Sequence, residues 1–328
     1  MRSGILTEGR PARPSVVESS GAPTRVDVVA ASQRLEHRIR RTPLLDATTG
    51  DGARLVLKLE CFQVSGSFKI RGATNRILLD ERRHAGVVAA SGGNHGAAVA
   101  HACRDLGLKA DVFVPASSPH HKLRRITDAG AELHVVDGPF TEAAARCTEF
   151  AAEYGALLVH PFDDPAVIAG QGTLGVEILD QCAGVTKIVV AVGGGGLAAG
   201  LAVAVDGKTE LLAVEPEACP TLSAALEAGR PVLVEVGGVA ADSLGAPLLG
   251  DLAFDILAPT VSSVIAVSEK DIVAAQQSLW DAFRLAVEPA AGCCWAAAQC
   301  AAASMSPEDI IVVVVCGANL DPQTVVEW

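Results

Sequence analysis

The chain has 328 residues, half of them hydrophobic but only 4% aromatic, and its 26 Lys and Arg against 38 Asp and Glu give a formal net charge of −12. That length suits one large α/β domain or two of ordinary size. The acidic balance excludes nucleic-acid or acidic-membrane binding through a basic patch, and the odd count of nine cysteines, without a CxxC pair, favours unpaired thiols in a reducing cytoplasm.

Residues 1–24 are rich in Pro, Ser, Gly and Arg, lack the apolar core of a secretory signal and show no periodicity, which predicts a mobile tail. Short apolar runs then predict strands at 55–60, 86–91, 110–114, 132–136 and 156–160. Four more follow at 187–192, 211–215, 263–267 and 310–315. Between most of them lie amphipathic stretches of helical length, such as 269–286. Continuously apolar strands alternating with helices predict open parallel sheets covered on both faces, an α/β fold. Nine strands are many for one such sheet. Two sheets are expected, the smaller from 81–159 inserted in a larger domain of 25–80 and 160–328. The apolar run 188–205 is broken by five glycines and is too short to span a bilayer.

Ligands of open α/β sheets bind where strands turn into helices, and three such turns carry chemistry. "VGGGGLAAG" (192–200) ends a strand in Gly193, Gly194, Gly195 and Gly196. Their N–H groups and the following helix N-terminus form a phosphate cradle, where a plain tight turn needs only one or two glycines. Gly193-x-Gly195-x-x-Ala198 also satisfies the dinucleotide fingerprint, with Glu215 placed as a ribose-binding acid, so an NAD-dependent oxidoreductase is a rival. In "SGGNHG" (91–96), Ser91, Gly92, Gly93, Asn94 and His95 form a nest for a small carboxylate, although Ser91 or Asn94 could serve only as a helix cap. "VVVVCGAN" (312–319) ends a strand at Cys316, a position where cysteine commonly serves as a small buried hydrophobe.

Upstream, "SGSFKIRGA" (65–73) places Lys69 at a helix start. A lysine there is ordinarily solvated. Joined to a phosphate anchor and a carboxylate nest, it completes the parts required for pyridoxal phosphate chemistry on an amino acid.

From Thr42 to Asp321 the sequence resembles the threonine/serine dehydratases, which with serine racemase belong to the fold-type II, tryptophan-synthase β-like pyridoxal phosphate enzymes. The motifs stand in family order: "RTPLL" (41–45), "SGSFKIRGA" (65–73), "SGGNHGAAVA" (91–100), "HPFDDPAVIAGQGT" (160–173), "GGGGLAAG" (193–200), "AVEP" (213–216), "VEPAAG" (287–292) and "CGAN" (316–319). The resemblance implies a cytoplasmic homodimer that eliminates water from a β-hydroxy amino acid such as L-threonine or L-serine, giving a 2-oxo acid and ammonia. Lys69 carries the cofactor as a Schiff base and moves the Cα proton. Phe68, Asn94, Gly193 to Gly196, Leu197, Glu288 and Cys316 hold the cofactor, Cys316 at the pyridine nitrogen. Ser91, Gly92, Gly93, Asn94 and His95 hold the substrate, with Asp242 and Ser243 near its side chain, unless 236–250 is only a glycine-rich loop closing on the cofactor.

Departures narrow this. Serine racemase has a serine, serving the face opposite the lysine, where this chain has Gly92, which favours dehydration over racemisation. Metal-binding relatives pair the Glu of the "EP" strand end with an Asp six residues on. Here Glu215 is followed by Thr221, so Glu215 is the one candidate ligand and a required metal is not expected. Ile70 and His95 are dehydratase choices, unlike those of cysteine synthases. The chain ends at Trp328, and the regulatory domain of biosynthetic threonine dehydratases is not expected to follow. The cluster His120, His121, Lys122, Arg124 and Arg125 reads as a solvated helix start.

Overall fold

The computed structural model describes residues 21–47, 52–261, 264–302, 305–321 and 323–324. Most of the expected tail, residues 1–20, lies outside these. Its last residue, Thr24, caps the first helix: the Thr24 N–H donates to Asp27 at 2.8 Å and its hydroxyl accepts from the Asp27 N–H.

Ten strands are formed by the described residues: β1 (Leu44–Asp46), β2 (Arg54–Lys58), β3 (Val87–Ala90), β4 (Ala110–Pro115) and β5 (Glu132–Val136), then β6 (Leu157–Leu158), β7 (Lys187–Ala191), β8 (Glu210–Pro216), β9 (Val264–Val267) and β10 (Ile310–Val314). The first six helices are α1 (Arg25–Leu35), α2 (Lys69–Leu78), α3 (Asn94–Leu106), α4 (His120–Asp128), α5 (Phe140–Tyr154) and α6 (Pro165–Gln181). The rest are α7 (Gly196–Val205), α8 (Thr221–Ala228), α9 (Ala241–Leu244), α10 (Asp251–Leu257), α11 (Glu269–Phe283) and α12 (Pro289–Ala302).

The strands make two sheets, as the alternation predicts: a six-stranded one in the order β1-β2-β10-β7-β8-β9 and a four-stranded one in the order β5-β4-β3-β6. All pairings are parallel except β1–β2, which is antiparallel with Leu45 opposite Leu57. The central strands carry Val and Ile at successive positions because helices cover both faces. Ile188 to Val190 and Ile311 to Val314 are fully buried, each side chain contributing about 1.5–3 kcal/mol.

Parallel strands bring their carboxyl ends to one edge of each sheet. Residues 91–95 follow β3, 192–195 follow β7, and 315–319 follow β10. The segment before α2 joins this edge by an antiparallel bridge between Ser67 and Gly317. Flanking it, the Phe68 N–H donates to the Cys316 carbonyl at 3.1 Å and the Ala318 N–H to the Gly66 carbonyl at 2.9 Å. That bridge fixes Lys69 beside Cys316.

Candidate active site

Lys69 is the first residue of α2, half-buried, with its Nζ donating to the Pro161 carbonyl at 2.8 Å and lying 5.3 Å from the Phe68 ring centre. Loss of water around the amine lowers its pKa to about 8, against a small opposing effect from Cys316. Burial likewise pushes the Cys316 thiol far above its ordinary value, and the carboxyl of Glu288 adds to the effect. Cys316 is therefore a neutral S–H.

The glycine turn after β7 is built for close approach. Gly195 has φ +86 and is the N-cap of α7, a conformation that side chains oppose. A Cβ at Gly194 would collide with the Phe162 ring. Among the described residues, no acceptor is found for the N–H groups of Gly194, Gly195, Gly196 and Leu197. Four unaccepted donors at one helix start make a site for a phosphate.

The turn after β3 repeats the arrangement. The Gly93 N–H donates to Ser91 Oγ at 3.2 Å, while the N–H groups of Gly92, Asn94 and His95 have no acceptor among the described residues. Side chains here are held from the larger sheet. Asn94 Nδ2 donates to both carboxylate oxygens of Glu288 at 2.9 Å, and Asn94 Oδ1 accepts from Asn319 Nδ2 at 2.6 Å. Asn319 Nδ2 also donates to the Ser65 carbonyl at 2.9 Å. Burial raises the pKa of Glu288, with the Asn94 amide opposing. His95 points the other way: its Nε2 lies 2.9 Å from the Val159 carbonyl, and burial, then Lys69, depress its pKa to about 3. His95 is a neutral imidazole tying the turn to the chain beyond β6.

Two expectations for single residues change. Glu215, considered for a ribose or a metal, is buried and accepts hydrogen bonds from the start of α8: the N–H groups of Leu222 and Ser223, the Ser223 hydroxyl at 2.8 Å and the Thr221 hydroxyl at 3.2 Å. Its oxygens cap a helix, and this removes the acid on which the NAD reading depended. The basic start of α4 is not a solvated face throughout, because Lys122 is buried and pairs with Asp242, and Arg125 Nη1 donates to Asn319 Oδ1. Periodicity could have shown this, since Lys122 and Ile126, four residues apart, share one face of α4. Ser243, in α9, reaches the start of α12, its hydroxyl accepting from the Ala290 N–H at 3.2 Å.

The residues fit pyridoxal phosphate: an amine of lowered pKa, an N–H cradle without acceptors, and a buried neutral thiol beside them. Ser67 Oγ, buried next to Gly317 and without a partner among the described residues, adds an unsatisfied polar atom at the same place.

Comparison with known proteins gives the same picture. Residues 35–317 match the family described as "Pyridoxal-phosphate dependent enzyme". The chain is 35% identical to the L-threonine ammonia-lyase of Thermotoga maritima over 310 residues, 91% of this chain and 76% of that protein. Among solved structures, maize serine racemase superposes with a TM-score of 0.88 at 32% identity, covering 93% of this chain and 96% of that one. The threonine deaminase of T.th. superposes with a TM-score of 0.84 at 37% identity, covering 91% and 99%.

Proposed function

Because the chain belongs to the family of pyridoxal-phosphate dependent enzymes, we propose that it is an ammonia-lyase of the threonine/serine dehydratase type, converting a β-hydroxy amino acid such as L-threonine or L-serine to a 2-oxo acid and ammonia. The observation that carries this reading is Lys69, an amine of pKa about 8 at the head of α2, set among two backbone cradles and a neutral thiol. The similarity to a threonine ammonia-lyase and a threonine deaminase supports the substrate class.

In this reading Lys69, Phe68, Asn94, Gly193 to Gly196, Leu197, Glu288 and Cys316 hold the cofactor, and Ser91 to His95 take the substrate carboxylate. When bound, pyridoxal phosphate supplies an electron-withdrawing ring that stabilises negative charge at the substrate Cα. The chain's own residues do the rest. Lys69 takes the Cα proton; the electron pair left behind forms the Cα–Cβ double bond as the β-hydroxyl departs with a proton as water. The released enamine adds water and yields the 2-oxo acid and ammonia. Cys316, a neutral donor where a carboxylate would add a full charge, gives little support to a long-lived carbanion and so favours prompt elimination.

The test is a purified, cofactor-loaded protein assayed for 2-oxo acid over a panel of β-hydroxy amino acids, bulkier ones included. Lys69→Ala should abolish both turnover and the visible absorption band. No 2-oxo acid from any member would overturn the reading. The likeness to maize serine racemase favours a second one, racemisation, and the same assay separates them: D-serine in excess of pyruvate from L-serine would establish it.

The same reading divides the chain into a larger domain, 25–80 with 160–328, and a smaller one, 81–159. It takes the working unit as a homodimer, checked by sedimentation, in a reducing cytoplasm. Eight of the nine unpaired cysteines being buried supports that compartment.

A further inference from the structure

Gly92 lies in the middle of the carboxylate turn, and the space its missing side chain would take is filled from elsewhere. A Cβ at Gly92 would lie 2.6 Å from Ser118 Oγ and 3.1 Å from Ser118 Cβ. Ser118 belongs to the loop between β4 and α4. That loop leaves the sheet beside the carboxylate turn, because Ala90 at the end of β3 pairs with Phe113 of β4 and the Ser91 N–H donates to the Phe113 carbonyl at 3.1 Å. The loop is held in place: the Ala116 N–H donates to the Val136 carbonyl at 2.9 Å, the Ser118 N–H donates to the Pro115 carbonyl at 3.0 Å, and Pro119 is the N-cap of α4. Ser118 is half-buried, and its hydroxyl has no hydrogen-bond partner among the described residues.

We infer that Ser118 Oγ is a ligand of the substrate carboxylate, supplying from the neighbouring loop the hydroxyl that residue 92 lacks. The reasoning is one of supply and demand for hydrogen bonds. The turn offers N–H donors from Gly92, Asn94 and His95 without acceptors, and a carboxylate can accept about four hydrogen bonds. Ser118 adds a further donor on the Gly92 side. The Ser118 hydroxyl makes no hydrogen bond to the described residues, so it can turn to a bound carboxylate without giving up a contact within the protein.

This inference rests on reading 91–95 as the substrate-carboxylate cradle, and the test keeps the two apart. The holoenzyme is titrated with L-alanine, which has no β-leaving group, and with L-alaninamide, whose carboxylate is neutralised, following the visible band. In the unaltered protein L-alanine should bind more tightly. Ser118→Ala should shrink that preference about tenfold, the worth of one hydrogen bond to a charged group, and raise KM for L-threonine by a similar factor with little change in kcat. Gly92→Ser alone should weaken binding, since its Cβ meets Ser118, while Gly92→Ser with Ser118→Ala should restore much of the preference by returning a hydroxyl to the same place. Equal weakening of both ligands by Ser118→Ala means mere packing and overturns the inference. So does an unchanged preference, or a collapse of kcat at unchanged binding, which would make Ser118 a proton-transfer group. No preference in the unaltered protein overturns the cradle reading itself.

Discussion

A solvated lysine of pKa near 10.4 holds a neutral amine in only about one molecule in 2,500 at pH 7. At a pKa of about 8, Lys69 holds it in about one in ten. Attack on an aldehyde needs the neutral form, so capture of pyridoxal phosphate by the apoprotein should quicken about tenfold per pH unit up to about pH 8 and level off above it. Stopped-flow growth of the visible band reads this directly, and a rise continuing to pH 10 would refute the lowered value. His95 carries the complementary prediction. Its folded pKa of about 3 lies below the ordinary 6.5, so the unfolded chain binds more protons between the two. The stability this neutral imidazole contributes is present above pH 6.5 and is lost as the pH falls toward 3. Denaturant titrations of the wild type and His95→Asn should therefore show a shallower acid dependence in the variant over that window.

At the scale of elements, the head of α2 is fixed by charges that the site itself does not use. Arg71, two residues after Lys69, is fully buried and forks onto Glu60, with Nε and Nη2 each at 2.7 Å, and reaches Glu177 at 2.7 Å. Lys58 completes the group, its Nζ 2.7 Å from Glu177. Two cations and two anions balance, and α2 is tied to β2 and α6. Removing one partner leaves a buried carboxylate unmatched, so Arg71→Met should cost about 3–5 kcal/mol in a denaturant melt. Helix α8 is held more modestly. Glu215 takes its first N–H groups, and Glu215→Ala should cost about 1–2 kcal/mol, as loss of a helix cap does. With those oxygens engaged, a chelator should leave turnover unchanged; complete loss of activity would require a metal bound elsewhere.

The whole molecule was legible in the sequence where burial on both faces wrote continuous apolar runs, which is why all nine expected strands exist and fall into two sheets. Strand β1 left no such signature: three residues, "LLD", become a strand only through pairing with β2. The site was legible as turns but not as partnerships. Asn94 and His95 sit together in sequence, yet one turns to Glu288 and the other to Val159, a divergence set by the helical turn between them and their neighbours in space. Lys122, expected in solvent, instead pairs with Asp242 across the two sheets' elements, Lys122 from α4 and Asp242 from α9. In the proposed reading the carboxylate cradle follows β3 of the smaller sheet and the phosphate cradle follows β7 of the larger. This ion pair, with the Asn94–Glu288 and Asn94–Asn319 contacts, therefore helps set the distance between the two anion sites. Lys122 is nearly inaccessible but the Asp242 side chain is 56% exposed, so the pair is partly screened and is worth up to about 1 kcal/mol. Asp242→Asn should accordingly raise KM for the amino acid by up to about fivefold, and Lys122→Met should do the same. The double variant should be no worse than either single one, because both remove one interaction. Raising the salt concentration should weaken the wild type more than the double variant. If the two effects multiply instead, Asp242 touches the substrate on its own account, and the spacing of the two cradles is set without it.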